Sequence, residues 1–116
     1  MKFWIELEQA YQLDQIIEDS KGQPVIIFKH STRCSISQTA LNRLERSWET
    51  KPEAGVKMVY LDLLQHRDIS NLIADKFEVV HESPQLLLVQ NGQCTFSRTH
   101  LSIRLEEALA HLEPKN

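Results

Sequence analysis

The 116-residue sequence has three glycines, two cysteines, no long apolar run and no surplus of basic side chains. Each scarcity closes off a class of protein. So little glycine, with no repeat or low-complexity tract, excludes a fibrous or disordered chain. With 41% apolar and 25% charged residues, the composition suits one compact domain spanning residues 1–116. Thirteen basic against 16 acidic side chains leave a net charge of −3. Counterion release from phosphate backbones then has little to act through, and nucleic acid is not an expected partner. No stretch approaches the roughly 20 apolar residues of a membrane span, and "MKFWIELEQ" lacks the cationic, apolar and small-residue segments of a secretion signal. A cytoplasmic protein with no membrane partner is expected. Cys34 and Cys94 are too few for a disulfide framework, and neither has a cysteine or histidine nearby at zinc-ligand spacing, so no metal is expected.

What is present is an alternation of strand-like and helix-like runs. "FWIEL" opens as a short strand, and "EQAYQLDQIIEDS" carries Ala10, Leu13, Ile16 and Ile17 at helical spacing before Gly22. "PVIIFKH" is a continuous β-branched and aromatic run, the pattern of a strand buried on both faces. "SISQTALNRLERSWETKP" predicts a helix with Ile36, Ala40, Leu44 and Trp48 along one stripe, ended by Pro52 and Gly55. "VKMVYLDLL" reads as a second buried strand and "RDISNLIADKFEV" as a helix. "PQLLLVQNGQCTFSR" reads as two strands joined by a hairpin at Asn91-Gly92, and "IRLEEALAHLE" as a closing amphipathic helix. The order βα, βαβα, ββα requires parallel strands joined by right-handed crossovers, then an antiparallel hairpin edge. The expected fold is therefore α/β and thioredoxin-like, a central mixed sheet with helices on both faces.

In such sheets chemistry collects beyond the carboxyl ends of the parallel strands, and "KHSTRCSIS" is one of those ends. It places Cys34 between a buried strand and the first turn of a helix. Unpaired N–H groups and the positive dipole end at a helix N-terminus favour a thiolate, the species that attacks disulfides. Arg33, with Lys29 and His30 nearby, adds cationic character. The competing reading is a buried thiol acting as a small hydrophobe. Ser37 stands three positions after Cys34, where dithiol oxidoreductases carry a resolving cysteine, so no internal disulfide forms across that turn. It is also an ordinary first-turn helix residue. Cys94 lies past the hairpin turn, about 20 Å from the active end at roughly 3.3 Å per residue. That exceeds the roughly 7 Å Cα separation a disulfide tolerates. Pro84, after Ser83, begins a strand where its missing N–H is tolerated. His81 precedes that pair and lines the cleft or an ordinary loop. His66 and His111 read as solvated helix-end residues, and Glu45, Arg46, Glu49, Glu106 and Glu107 as solvent-facing helix charges.

With "KHSTRCSIS" and "HESPQLLLVQNG" in hand, the chain resembles the monothiol bacilliredoxins, the YtxJ family of bacillithiol-system redox proteins, over nearly its full length. The usual family string is Thr-Cys-Pro-Ile-Ser. Cys34, Ile36 and Ser37 match it, whereas Arg33 replaces the threonine and Ser35 the proline. The resemblance implies a thioredoxin-like fold with Pro84 as a cis-proline facing the active cysteine. It further implies bacillithiol as co-substrate thiol and bacillithiolated client proteins as partners. Cys34 and Ser37 are then the catalytic candidates, and Arg33, His81, Ser83, Pro84 and Arg98 the substrate-binding ones. Arg98 and Thr99 return to the active end, where glutaredoxin-like proteins hold the carboxylates of their thiol, although a solvated turn there is an open alternative. Iron–sulfur binding, as in some monothiol glutaredoxins, is disfavoured because Ser35 and Ile36 stand where glycine and phenylalanine are usual. A non-catalytic interaction module or redox sensor on the same fold is the alternative function.

Overall fold

The computed structural model describes residues 3–53 and 55–113. The elements follow the expected order: β1 (Ile5–Glu6), α1 (Ala10–Asp19), β2 (Val25–His30), α2 (Ser35–Thr50), β3 (Lys57–Asp62), α3 (Arg67–Phe77), β4 (Gln85–Gln90), β5 (Gln93–Thr99) and α4 (Leu105–Leu109). A single 3-10 turn, His100–Ser102, connects β5 to α4. The closing helix is shorter than its amphipathic pattern predicts: it stops at Leu109, and His111 Nδ1 meets the Glu107 carbonyl at 2.9 Å in place of a continued ladder.

The five strands lie in the order β1-β3-β2-β4-β5. β2 pairs in parallel with β3, and β3 with β1, while β2–β4 and β4–β5 are antiparallel. The central position of β2 explains its unbroken apolar run, since side chains alternate between two covered faces. Ile26 and Phe28 join Met58, Tyr60, Leu86 and Leu88 under Ala40, Leu44, Leu105 and Ala108 of α2 and α4. Val25 and Ile27 face Leu61, Leu87, Leu13, Ile69 and Ile73 on the side of α1 and α3. Burying each Leu, Ile or Phe in these layers contributes about 1.5 to 3 kcal/mol, enough in sum to offset the ordering of a chain this short.

Two stripe expectations need correction. Ile36 is 40% exposed, so the buried face of α2 is carried by Ala40, Leu41 and Leu44 with Trp48 half-buried against it. Ile36 sits in the first turn of α2. Ala10, at the start of α1, is exposed as well, leaving Leu13 and Ile16 as that helix's buried residues. The hairpin turns where expected: Asn91 (φ 51°) and Gly92 (φ 76°) both lie in the left-handed region that a two-residue turn of primed type requires. Ser20, at the end of α1, accepts from both their N–H groups, at 2.9 Å through its carbonyl and 2.8 Å through its hydroxyl.

Candidate active site

β2 ends at His30, whose carbonyl accepts the Leu63 N–H at 3.0 Å. Ser31 to Arg33 turn the chain, and the Cys34 N–H closes that turn on the Ser31 carbonyl at 3.2 Å. Cys34 is the N-cap residue of the 16-residue α2, with extended backbone (φ −111°, ψ 121°), and no side chain caps this end. The N–H groups of Ser35, Ile36 and Ser37 thus lack intrahelical partners, and they form the positive end of the α2 dipole beside Cys34. The thiol is half-buried and free.

Across the sheet, the β2–β4 ladder pairs Lys29 with Gln85. Continued by one residue, that register sets Pro84 opposite His30. Pro84 is buried, its peptide bond to Ser83 is cis, and its carbonyl accepts the His100 N–H at 3.1 Å. The β2–α2 corner, the Ser83-Pro84 step and the end of β5 therefore occupy one end of the sheet. Arg33 is exposed at that end. Ser83 is half-buried with its Oγ shielded from solvent and unpartnered among the described residues.

Ser37 is fully buried, and its hydroxyl is occupied. Oγ accepts the Ser31 N–H at 3.0 Å and lies 2.7 Å from His30 Nδ1. His30 is itself buried, stacked on Phe28 and tilted against Tyr60, and burial holds its imidazole below the usual histidine range. The Ser37 hydroxyl donates to Nδ1 or accepts from it according to the tautomer of the ring. Among the described residues, then, the Ser37 hydroxyl serves His30 and Ser31, and it ties the first turn of α2 to the end of β2 beside Cys34.

The remaining cations do not gather at the sulfur as their sequence positions suggest. Lys29 follows the strand alternation to the opposite face, on the side of α3. It is fully buried, with Nζ 3.3 Å from the Ser70 carbonyl and 3.2 Å from His81 Nδ1. Among the described residues no carboxylate pairs it, and desolvation pushes the amine down to about 8. His81, which also meets the Ser70 hydroxyl at 3.2 Å, is held below its usual range by burial and by the Lys29 and Arg67 cations. Its ring turns inward to this polar pocket. Arg98 is engaged by Glu107 of α4, Nε to Oε1 at 2.6 Å, and lies 4.2 Å over the Phe96 ring. Glu107 is accordingly a structural partner and not a freely solvated charge. Glu45 likewise accepts the Trp4 indole N–H at 2.9 Å.

Cys94 pairs with Val89 on β5 and packs with the α1/α3 side of the sheet. Its sulfur donates to the Phe96 carbonyl at 3.4 Å, and burial pushes the thiol up. Val89 is five residues beyond Pro84 along β4, so Cys94 lies about 17 Å from the active end at about 3.3 Å per residue. Ser70 and Gln85, which motif and spacing do not single out, flank Lys29, the first by its carbonyl and the second as its cross-strand neighbour. A serine between Ile69 and Ile73 on the inner face of α3 is the one signal that pointed there.

Among the described residues no cluster of three or more His, Cys, Asp or Glu side chains is placed to hold a metal ion, and no helix is long and apolar enough to cross a membrane. In comparisons with known proteins, the family model of monothiol bacilliredoxin BrxC matches residues 5–108. A solved structure described as an oxidoreductase with a thioredoxin fold is similar at 34% identity, covering 94% of this chain and 92% of that one with a TM-score of 0.80. Thioredoxin O2 from Arabidopsis thaliana, in its oxidized state, shares 16% identity over 97% of this chain and 96% of its own, TM-score 0.73. Thioredoxin f2 from Chlamydomonas reinhardtii shares 13% over 97% and 99%, TM-score 0.70. These last two speak for the fold alone. A thiol at the N-cap of α2, a mixed five-stranded sheet of thioredoxin type and a family match over nearly the whole length agree on a thiol redox role, and the chain belongs to the monothiol bacilliredoxin family.

Proposed function

We propose that the chain, acting as a single cytoplasmic domain, removes bacillithiol from protein mixed disulfides through Cys34. The observation that carries this reading is a reachable, uncapped N-terminal cysteine on α2 with a serine, Ser37, in the place of a second thiol. The Cys34 thiolate attacks the bacillithiol sulfur of the mixed disulfide. The Cys34–bacillithiol bond forms as the client S–S bond breaks, and the client cysteine leaves as a thiolate. A second bacillithiol thiolate then attacks the captured sulfur, releasing oxidised bacillithiol and regenerating Cys34. Each step exchanges one S–S bond for another, so no metal and no further oxidant is needed. Ser37 acts through its bonds to His30 and Ser31 as a positioning residue for the Cys34 turn. Ser83 and Pro84 bound the cleft opposite, and Arg33 faces the incoming thiol. His81 and Arg98, each engaged by protein partners, shape the surrounding loops.

Intact-mass measurement of the reduced chain exposed to oxidised bacillithiol tests this directly. One bacillithiol adduct is expected, mapped to Cys34 and absent from Cys34→Ser. An adduct mapped to Cys94, or none at all, overturns the proposal.

A further inference from the structure

Two adjoining depressions, of about 370 and 190 Å3, run between α2 and the segment that ends in α4. They share Arg46, Ser47, Leu105 and Glu106 as walls; Arg43 and Arg104 close one, and Lys51 the other. Four cations against the single carboxylate of Glu106 give the groove a charge of +3, on a chain whose net charge is −3. Among the described residues none of these four cations is in a salt bridge. The nearby α2 carboxylates of Glu45 and Glu49 are not in the lining, and Glu45 is bonded to Trp4. The floor is apolar, with Leu105 buried and Leu109 half-buried.

The groove lies along the same helix whose N-terminus Cys34 caps. Ile36, Arg43 and Thr50 recur every seven residues along one face of α2, with Thr39 and Arg46 beside them. Arg43 Nη1 also reaches the Leu101 carbonyl at 3.4 Å, joining this face to the turn after β5. Arg43 and Arg46 stand nine and twelve residues from Cys34, about 13 and 18 Å along the helix at 1.5 Å per residue. An extended peptide covers that distance in about four to six residues.

We propose that this groove docks an acidic segment of the client protein, with its Asp or Glu side chains about four to six residues from the thiolated cysteine that Cys34 attacks. The inference rests on the proposed exchange at Cys34 for its direction along α2. Charge complementarity selects the occupant: unpaired arginines recognise carboxylates, and their surplus steers an acidic partner's encounter.

The test compares peptides carrying one bacillithiolated cysteine flanked at that spacing by three glutamates or by three lysines, together with oxidised bacillithiol alone as a peptide-free substrate. Expected is roughly tenfold higher kcat/KM for the acidic peptide at low salt, most of it lost in R43Q/R46Q/R104Q and at high ionic strength. The peptide-free rate should stay unchanged in that variant, which also shows it folded. Equal rates for both peptides, or a preference that survives the triple substitution, overturn the docking proposal. If the triple variant slows the peptide-free reaction as well, the groove binds the small thiol instead, which also overturns it. Should Cys34 exchange with no disulfide at all, the functional reading falls. Fluorescence anisotropy of a labelled, cysteine-free acidic peptide then decides the groove independently: binding to the parent and not to the triple variant supports it, and no binding to either refutes it.

Discussion

His30 Nδ1 lies 2.7 Å from Ser37 Oγ, across the corner at which β2 hands over to α2. Both residues are buried, and the Ser31 N–H completes the hydroxyl's bonds at 3.0 Å. Removing the hydroxyl strands an imidazole nitrogen and a backbone donor. Ser37→Ala should therefore cost about 1 to 3 kcal/mol in urea denaturation. Because the same bonds fix the turn before Cys34, the variant should also alkylate with iodoacetamide at an altered rate in the folded state. A change in stability with no change in alkylation would confine Ser37 to structure.

The acid limb of stability is set in part by His30 and His81, both held below the usual histidine range in the folded chain. Below about pH 6.5 the unfolded chain takes up protons that the folded one refuses, so stability is present above that pH and falls as pH drops through the window. Urea midpoints measured from pH 7.5 to 5 should show this decline, and His30→Gln should flatten it. A parent chain equally stable at pH 7.5 and 5 would contradict the buried, neutral assignment.

Lys29 gives the opposite limb. Its amine is pushed down to about 8, whereas an unfolded lysine titrates near 10.4. Below about pH 8 the folded chain must keep a charged, unpaired ammonium buried. Between roughly 8 and 10.4 the unfolded state binds more protons, so stability rises with pH. Lys29→Met should remove the burden and stabilise the chain by about 1 to 3 kcal/mol at pH 7, an advantage that shrinks as pH passes 8. His81 keeps the Ser70 hydroxyl as a partner in that variant. A Lys29→Met protein less stable than its parent at pH 7 would show that the two hydrogen bonds outweigh the desolvation.

The contrast between Lys29 and Cys34 shows what the sequence could and could not convey. The succession of strands and helices, the hairpin at Asn91-Gly92 and the corner at Cys34 are readable because each depends on local periodicity or turn chemistry. The destination of a charged side chain is not. Lys29, His30 and Arg33 are neighbours in sequence, yet strand alternation sends Lys29 and His30 to opposite faces and leaves Arg33 in solvent. Their partners, Ser70, His81 and Ser37, come from other elements or beyond the turn, and spacing alone does not predict such pairings. Arg98 meets Glu107 only after α4 folds back onto β5, another pairing that spacing does not convey.

Cys94 should play no part in exchange. It sits on the far side of the sheet from α2, and burial pushes its thiol up, so it is a poor nucleophile. Cys94→Ser should keep the exchange rate within a factor of about two, and Cys34→Ser should abolish it. Peptide mapping of the oxidised monomer should find no Cys34–Cys94 bond. Such a bond would require the edge of the sheet to unravel and would end the monothiol scheme.

The last expectation concerns which thiol the cleft accepts. Of the cations that sequence places near Cys34, Lys29 is enclosed under the sheet, His30 is committed to Ser37 and Arg98 to Glu107. Arg33 is exposed and, among the described residues, in no salt bridge. It is left as the cation nearest in sequence to meet the malate carboxylates of an incoming bacillithiol. Glutathione is anionic too, so charge separates the two thiols poorly, and the preference rests on family membership. Bacillithiol should be captured from a mixed disulfide faster than glutathione. Arg33→Ala should slow capture several-fold and weaken its salt dependence, since an exposed pairing is worth about 0.2 to 1 kcal/mol. Stopped-flow rates across a salt series measure both effects. Equal rates with the two thiols would remove the bacillithiol preference and leave the oxidoreductase standing, whereas an Arg33→Ala chain indistinguishable from its parent would mean that the guanidinium points to solvent and not to the incoming thiol.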